Sequence, residues 1–187
     1  MRTHWVEEKI AYDGSQLSPL TNYLKHGILG DSIVSWQGAC KVSLEHMMDG
    51  EDLVAKSKIE GAHMLHFVLE LFNYPLSSAI VLQRLMGEIL VKKMLELGKG
   101  PVREIKRKGD DLYWNKKKLN VSIATCSSTS SLIHFGVNIS NEGTPVETCS
   151  LQDFSIENVA EFSQKYMDEL KEEILSQKRA AVKVRSF

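Results

Sequence analysis

The chain has 187 residues, and 23 Lys and Arg stand against 24 Asp and Glu, leaving a formal net charge of −1. This balance gives no global electrostatic pull toward nucleic acid or an anionic membrane, and there is no run of about 18 apolar residues to cross a bilayer. The length suits one domain over 1–187, and the three cysteines (Cys40, Cys126, Cys149) are odd in number with no CxxC pair, the pattern of a reduced, cytoplasmic protein.

The opening "MRTHWVEEKIAYDG" carries acids and lacks a long apolar core, so it does not read as a secretory signal. It starts as a short strand and ends in a turn at Asp13-Gly14. "SPLTNYLKHGILG" predicts a helix, with Ser18 as N-cap, Pro19 at the first helical position and glycines closing it. "DSIVSWQGACKVSL" returns to strand character, and "EHMMDGEDL" follows as an acidic turn. "HMLHFVLELF" has an apolar pattern that suits either a buried strand or a buried helix segment. Its short length and the break at Asn73-Tyr74-Pro75 favour strand.

"LSSAIVLQRLMGEILVKKMLELGKGP" predicts a long helix. Ile80, Leu82, Leu85, Met86, Ile89, Leu90 and Met94 form its apolar stripe, and Gly98, Gly100 and Pro101 stop it. "VREIKRK" leads to a turn at Gly109-Asp110. Two strands are predicted next, over 117–125 and 131–139, joined by a short loop and therefore antiparallel. "TPVETCSL" is a short extended piece. "SIENVAEFSQKYMDELKEEILSQ" predicts a second long helix, with Ser155 and Asn158 as start signals. The basic tail "KRAAVKVRSF" reads as a terminal strand or a frayed end. Neighbouring antiparallel strands and two long helices predict an α+β fold, a mainly antiparallel sheet packed by helices.

The two central strands alternate. Leu119, Val121 and Ile123 alternate with Lys118, Asn120 and Ser122, while Ile133, Phe135, Val137 and Ile139 alternate with His134, Gly136 and Asn138. If both apolar sets face the helices, Lys118, Asn120, Ser122, His134 and Asn138 share the opposite face. A lysine among hydrogen-bonding groups there suits a polar or anionic ligand; a solvated sheet face is the plainer alternative. Gly136 within the strand allows a close approach. Gln83 and Arg84 sit inside the long helix. Arg84 either snorkels to the surface or grips a carboxylate or phosphate in the pocket.

In the acidic turn, His46, Asp49, Glu51 and Asp52 form either a solvated loop or one that reaches a metal or an amine. His63, His66 and Glu70 would share one face of a helix as a metal trio. On a strand only His66 and Glu70 share a face, so no metal is assigned and His66 is kept as a candidate pocket residue. Cys126 lies near the proposed site and reads as an inert thiol.

"GDDLYWNKKKLNVSIA" followed by "LIHFGVNIS" resembles the central motifs of biotin protein ligases. Those enzymes carry a Trp-Pro-Asn-Asp-Leu/Ile element, a Lys-Leu-x-Gly-Ile-Leu element and a strand ending Gly-Ile-Asn-Val. Lipoate protein ligases share the fold and its lysine. By this resemblance Asp110 and Asp111 fall on the Asn-Asp pair, Lys118 on the ligase lysine and Asn138 on the asparagine of the later strand. Over most of its length, through "GEDLV", "MLHFVLELF", "LQRLM", "GDDLYW", "KKLNVSIAT" and "SSLIHFGVNIS", the chain resembles a prokaryotic domain-of-unknown-function family, number 366. That family is grouped with the biotin and lipoate ligase-like domains, which are related to class II tRNA synthetases.

The resemblance implies a ligase-like protein that binds a small, acyl-like carboxylate for ligation or transfer. Lys118 would steady the carboxylate, and Asp110 or Asp111 would orient an amine or hold Mg²⁺. It also implies ATP as cofactor and an acceptor protein as partner. The ligases' Gly/Arg-rich loop and Arg-Arg/triple-glycine motif are absent, however, and Val121 replaces the ligase glycine after the lysine. Bare backbone N–H groups are what let such loops approach phosphate, so their absence weakens the case for ATP. The alternatives are a non-catalytic small-molecule-binding module on the same fold, and an interaction protein forming a homodimer through a sheet edge or the long helix.

Overall fold

In a computed structural model, the described residues are 1–185. The elements in chain order are β1 (Arg2–Trp5), α1 (Thr21–His26), β2 (Ser32–Val42), α2 (Gly50–Ala55), β3 (Ile59–Phe72), α3 (Leu76–Leu97), β4 (Lys106–Lys108), β5 (Asp111–Trp114), β6 (Lys117–Lys118), β7 (Asn120–Cys126), β8 (Ser130–Asn138) and α4 (Val159–Lys183). A five-stranded sheet runs β1-β2-β3-β8-β7, and a three-stranded sheet runs β4-β5-β6. Every pairing between these strands is antiparallel except β1 with β2. This is the expected α+β class.

α3 and α4 cover one face of the large sheet. Their buried side chains, among them Met86, Leu90, Phe162 and Tyr166, pack on Leu65, Phe67, Leu69, Phe135 and Val137. The other face is buried too. Tyr12, Leu17 and Ile28 from the N-terminal stretch lie over Val34, Trp36, Met64, Val68 and Leu132. Burial on both sides explains why "HMLHFVLELF" is nearly continuous in apolar residues: it is the central strand β3, as the sequence favoured.

The second apolar layer corrects one expectation. β7 and β8 do pair, but with Val121 opposite Gly136, Ser122 opposite Phe135 and Ile123 opposite His134. Antiparallel partners point to the same face, so the two strands are out of phase. Phe135 and Val137 face the helices as predicted. Val121 and Ile123 turn to the opposite side, with His134, and pack against the second cluster. The shared polar face of Lys118, Asn120, Ser122, His134 and Asn138 therefore does not exist. The loop at 127–129 sets the pairing parity, and with both faces buried β8 has no need to keep its polar residues wet.

Other boundaries moved. Ser18 and Pro19 precede α1, whose N-cap position is Leu20 at φ 62, with its N–H donated to Glu70 Oε1 at 2.9 Å. The acidic turn contains α2, capped by Asp49. The run at 117–125 is split between the two sheets at Leu119, which is fully buried. Ser155 does not start the last helix; Asn158 does, accepting from Glu161 N at 3.2 Å. That helix runs to Lys183, so most of the basic tail is helical rather than strand or frayed, and residues 186–187 lie outside the described part. No helix among the described residues is long and apolar enough to cross a membrane.

Candidate functional site

A cleft of about 600 Å³ opens between the α2 loop, the small sheet, the outer edge of β7 and the loop at 144–148. Lys118 stands in its wall. Two tight turns bring it there. Lys108 pairs with Asp111 across Gly109-Asp110, where Gly109 takes φ 65. Trp114 pairs with Lys117 across Asn115-Lys116, both at positive φ as a two-residue hairpin of this hand requires. Lys118 is then directly opposite Tyr113, and Asp111, two residues before Tyr113, lies on the same side of β5.

Lys118 Nζ is 2.9 Å from Asp111 Oδ1, and the Tyr113 hydroxyl donates to Asp111 Oδ2 at 3.0 Å. Partial burial, then the Asp111 charge, push the Tyr113 hydroxyl up to about 12, so it stays a neutral donor at ordinary pH. The side chains of Lys118 and Asp111 keep 29% and 23% of their surface exposed, enough for a ligand to reach them.

The two asparagines hold this group in place. Asn138 Nδ2 donates to the carbonyls of Lys118 and Cys149, each at 3.1 Å. Asn120 Oδ1 accepts from Leu112 N at 2.7 Å, and its Nδ2 donates to Asp110 O at 3.0 Å. Both are buried and brace the backbone, and both also line the cleft. Asp110 is held as well: its Oδ2 accepts from Gln83 Nε2 at 2.9 Å and from Ser122 Oγ at 2.8 Å. Gln83 thus ties the Asp110 turn to α3, and Ser122 ties it to β7. Arg84 lies on the exposed side of α3 and does not line the cleft.

The remaining predicted histidines lie deeper. A smaller chamber of about 50 Å³ adjoins the cleft, sharing with it Asp49, Asp52, Ile59, Val121 and Ser122. Tyr12 and His134 form part of its wall, their rings stacked with centroids 3.6 Å apart. His66 Nδ1 is 3.1 Å from His134 Nε2, and His66 Nε2 is 3.3 Å from the Gly38 carbonyl. Burial holds His66 down to about 4 and His134 well below the ordinary histidine range, so both rings are neutral. His63, His66 and Glu70 do not converge. His63 bonds Gln37, while Glu70 accepts from Leu20 N and Ser130 Oγ. Burial also raises the thiols of Cys149, to about 11, and Cys40, to about 12, which disfavours the thiolate a nucleophile needs. Cys126 is exposed at the end of β7.

The profile of the family described as a domain of unknown function (DUF366) matches residues 1–185. The chain belongs to this family. It is 31% identical over 160 residues to an uncharacterised protein of Methanocaldococcus jannaschii, covering 83% of this chain and 71% of that one. A structure of a protein of unknown function from Pyrococcus horikoshi superposes with TM-score 0.92 at 38% identity, over 100% of this chain and 98% of that one. The biotin protein ligase from Aquifex aeolicus in complex with biotin and ATP superposes at 0.58 with 13% identity, over 91% and 69% of the two chains. A putative lipoate protein ligase from T. acidophilum with bound lipoic acid superposes at 0.57 with 13% identity, over 92% and 87%. At such identities the likeness is one of fold, and the DUF366 chain has the α+β fold of the biotin and lipoate protein ligases.

A nucleoside triphosphate does not fit the cleft of this DUF366 chain. Its lining holds Asp49, Asp52, Glu60, Asp110, Asp111 and Glu147 against Lys58, Lys116 and Lys118, and Lys118 is already paired with Asp111. The loop between β2 and β3 forms the capped helix α2 rather than a glycine-rich cradle. Nor do any three His, Cys, Asp or Glu among the described residues converge as a metal would require. Tyr113 was missed in the sequence. Its signal was available: it alternates with Asp111 and falls opposite Lys118 once the Asn115-Lys116 turn is placed.

Proposed function

We propose that this protein binds a small, acyl-like carboxylate in the cleft beside Lys118, for ligation or transfer. The observation that carries the reading is the Lys118–Asp111–Tyr113 group. A cation stands at the wall of a 600 Å³ cleft, with Asp111 held beside it by the Tyr113 hydroxyl and the backbone braced from behind by Asn120 and Asn138. A lysine ammonium has three N–H donors, and those beyond its bond to Asp111 stabilise a carboxylate, or the negative charge that develops at an acyl centre. The biotin- and lipoate-bound proteins of the same fold favour an acyl-type ligand. A non-catalytic binding module is the second reading, favoured by the acidic lining and the missing phosphate cradle.

Lys118→Ala tests the proposal. A charge-assisted hydrogen bond to a desolvated carboxylate is worth roughly 1.5–3 kcal/mol, so affinity should fall about tenfold to a hundredfold. Folding stability should change by no more than about 1 kcal/mol, because the ion pair with Asp111 is partly exposed. Lys117→Ala is the matched control on an exposed side chain. A series of short-chain acids, biotin and lipoic acid, followed by thermal shift and calorimetry, supplies the ligands. Equal binding by both variants would remove Lys118 from the site. Calorimetry with ATP and Mg²⁺ should give no saturable heat at micromolar concentration; a micromolar affinity would contradict the reading of the acidic lining.

A further inference from the structure

The polar lining of the inner chamber is Tyr12, His46, Asp49, Asp52, Ser122 and His134; His46 Nδ1 donates to the Asp13 carbonyl and Ser122 Oγ to Asp110, so both of these donors are already used. A carbonyl cannot donate, so His66 Nε2 carries the proton that bonds Gly38 O. In a neutral ring His66 Nδ1 is then a lone pair, and it accepts from His134 Nε2–H. That leaves His134 Nδ1 as a bare lone pair, with no hydrogen bond among the described residues. His134 is 3% exposed and lines the chamber. The hydroxyl of Tyr12, also 3% exposed and lining the chamber, likewise has no hydrogen bond among the described residues. Two carboxylates, Asp49 and Asp52, lie where the chamber meets the cleft; Asp49 Oδ1 accepts from Glu51 N at 2.8 Å and Asp52 N at 3.3 Å as the cap of α2, while the Asp52 carboxylate has no hydrogen bond or ion pair among the described residues.

An imidazole lone pair, a free hydroxyl and the Asp52 carboxylate, beside the second oxygen of the capping Asp49, call for a ligand that donates and is positively charged. We propose that the ligand carries a protonated amine, its N–H groups directed to Asp49, Asp52, Tyr12 and His134, in addition to the carboxylate at Lys118. The ligand class is thus an amino acid in the broad sense, with ammonium and carboxylate separated by an apolar stem. This rests on the carboxylate reading of the cleft. The opposed charges explain how one cleft holds both Lys118 and an excess of acids: the ammonium answers the carboxylates that would repel a plain acid. A chamber of about 50 Å³ has room for an amine head and a methylene or two, and no more.

The test compares 6-aminohexanoate with hexanoate by calorimetry at pH 7, on the wild type, Lys118→Ala, Asp52→Asn and Tyr12→Phe. The amino acid should bind at least about tenfold more tightly than the plain acid. Asp52→Asn should collapse that discrimination, and Tyr12→Phe should reduce it by a few-fold, with unfolding midpoints close to the wild type. Lys118→Ala should weaken both acids together. Hexanoate bound as tightly as 6-aminohexanoate in a Lys118-dependent way would overturn the amine and leave the carboxylate site standing. Neither acid binding would overturn the carboxylate reading and this inference with it.

Discussion

Gly38→Ala should lower folding stability by about 3 kcal/mol or more. A Cβ at this position would lie 1.8 Å from the carbonyl oxygen of Ile10 and 2.5 Å from its carbon. Both are backbone atoms of a segment stitched to β2 on either side of the contact. Ile10 N donates to Gln37 O at 3.0 Å, Tyr12 N to Ala39 O at 2.8 Å, and Trp36 Nε1 to Ile10 O at 2.9 Å. The strain cannot be relieved by a side-chain rotation; the segment must lift, taking Tyr12 off the His134 ring. Gly50→Ala is the control, since a Cβ there meets nothing within 4 Å and alanine favours the helix. Urea unfolding of the two variants decides it. A Gly38→Ala protein within about 1 kcal/mol of the wild type would show that the N-terminal segment is not docked on β2 as described.

Stability should also fall as pH drops from 7 to 5, by about 2 kcal/mol from His66 alone. His66 is held to about 4 in the fold, chiefly by burial, while the unfolded chain protonates near the ordinary histidine value of 6.5. Between those values the unfolded state binds a proton that the native state refuses. The contribution is therefore complete above about pH 6.5 and is lost progressively toward pH 4. His134 acts in the same direction, and the partly exposed His26 and His63 add smaller terms. The carboxylates lowered in the fold, such as Asp13 and Glu169, lose their contribution only at lower pH. Urea midpoints at pH 7, 6 and 5 measure the slope, and His66→Gln should flatten it. A wild-type midpoint unchanged from pH 7 to 5 would mean that the histidine pair is not buried.

Much of this was legible in the sequence. The long apolar stripe of α3 from Leu82 to Met94, the β7–β8 hairpin and the strand character of β3 follow from periodicity and turn signals, whereas Ile80, read as part of that stripe, is exposed near the start of the helix. Lys118, Asp110 and Asp111 are residues of the cleft. What periodicity could not supply was phase. One side chain's shift in the loop at 127–129 decides whether Val121 or Ser122 faces the helices, and no local preference records it. Asn120 and Asn138 line the cleft as the sequence suggests, but their bracing of the backbone was not legible, because the partners of a buried amide are distant in sequence. Tyr12 left no signal, since its importance comes from docking on β2 far from the motif block. The acid turn at Asp49 and Asp52 was visible, with a metal or an amine as its alternatives to a solvated loop.

Amide chemical shifts test whether the cleft beside Lys118 is the ligand site without reference to any reaction. Uniformly ¹⁵N-labelled protein would be titrated with the acid that gives the largest thermal shift. Saturable changes should concentrate at residues 49–60, 110–118 and 144–148 and be abolished in Lys118→Ala. Shifts confined instead to the surface around Tyr74, Ser78 and Gln177, or to the depression around Lys99 and Asn158, would contradict it.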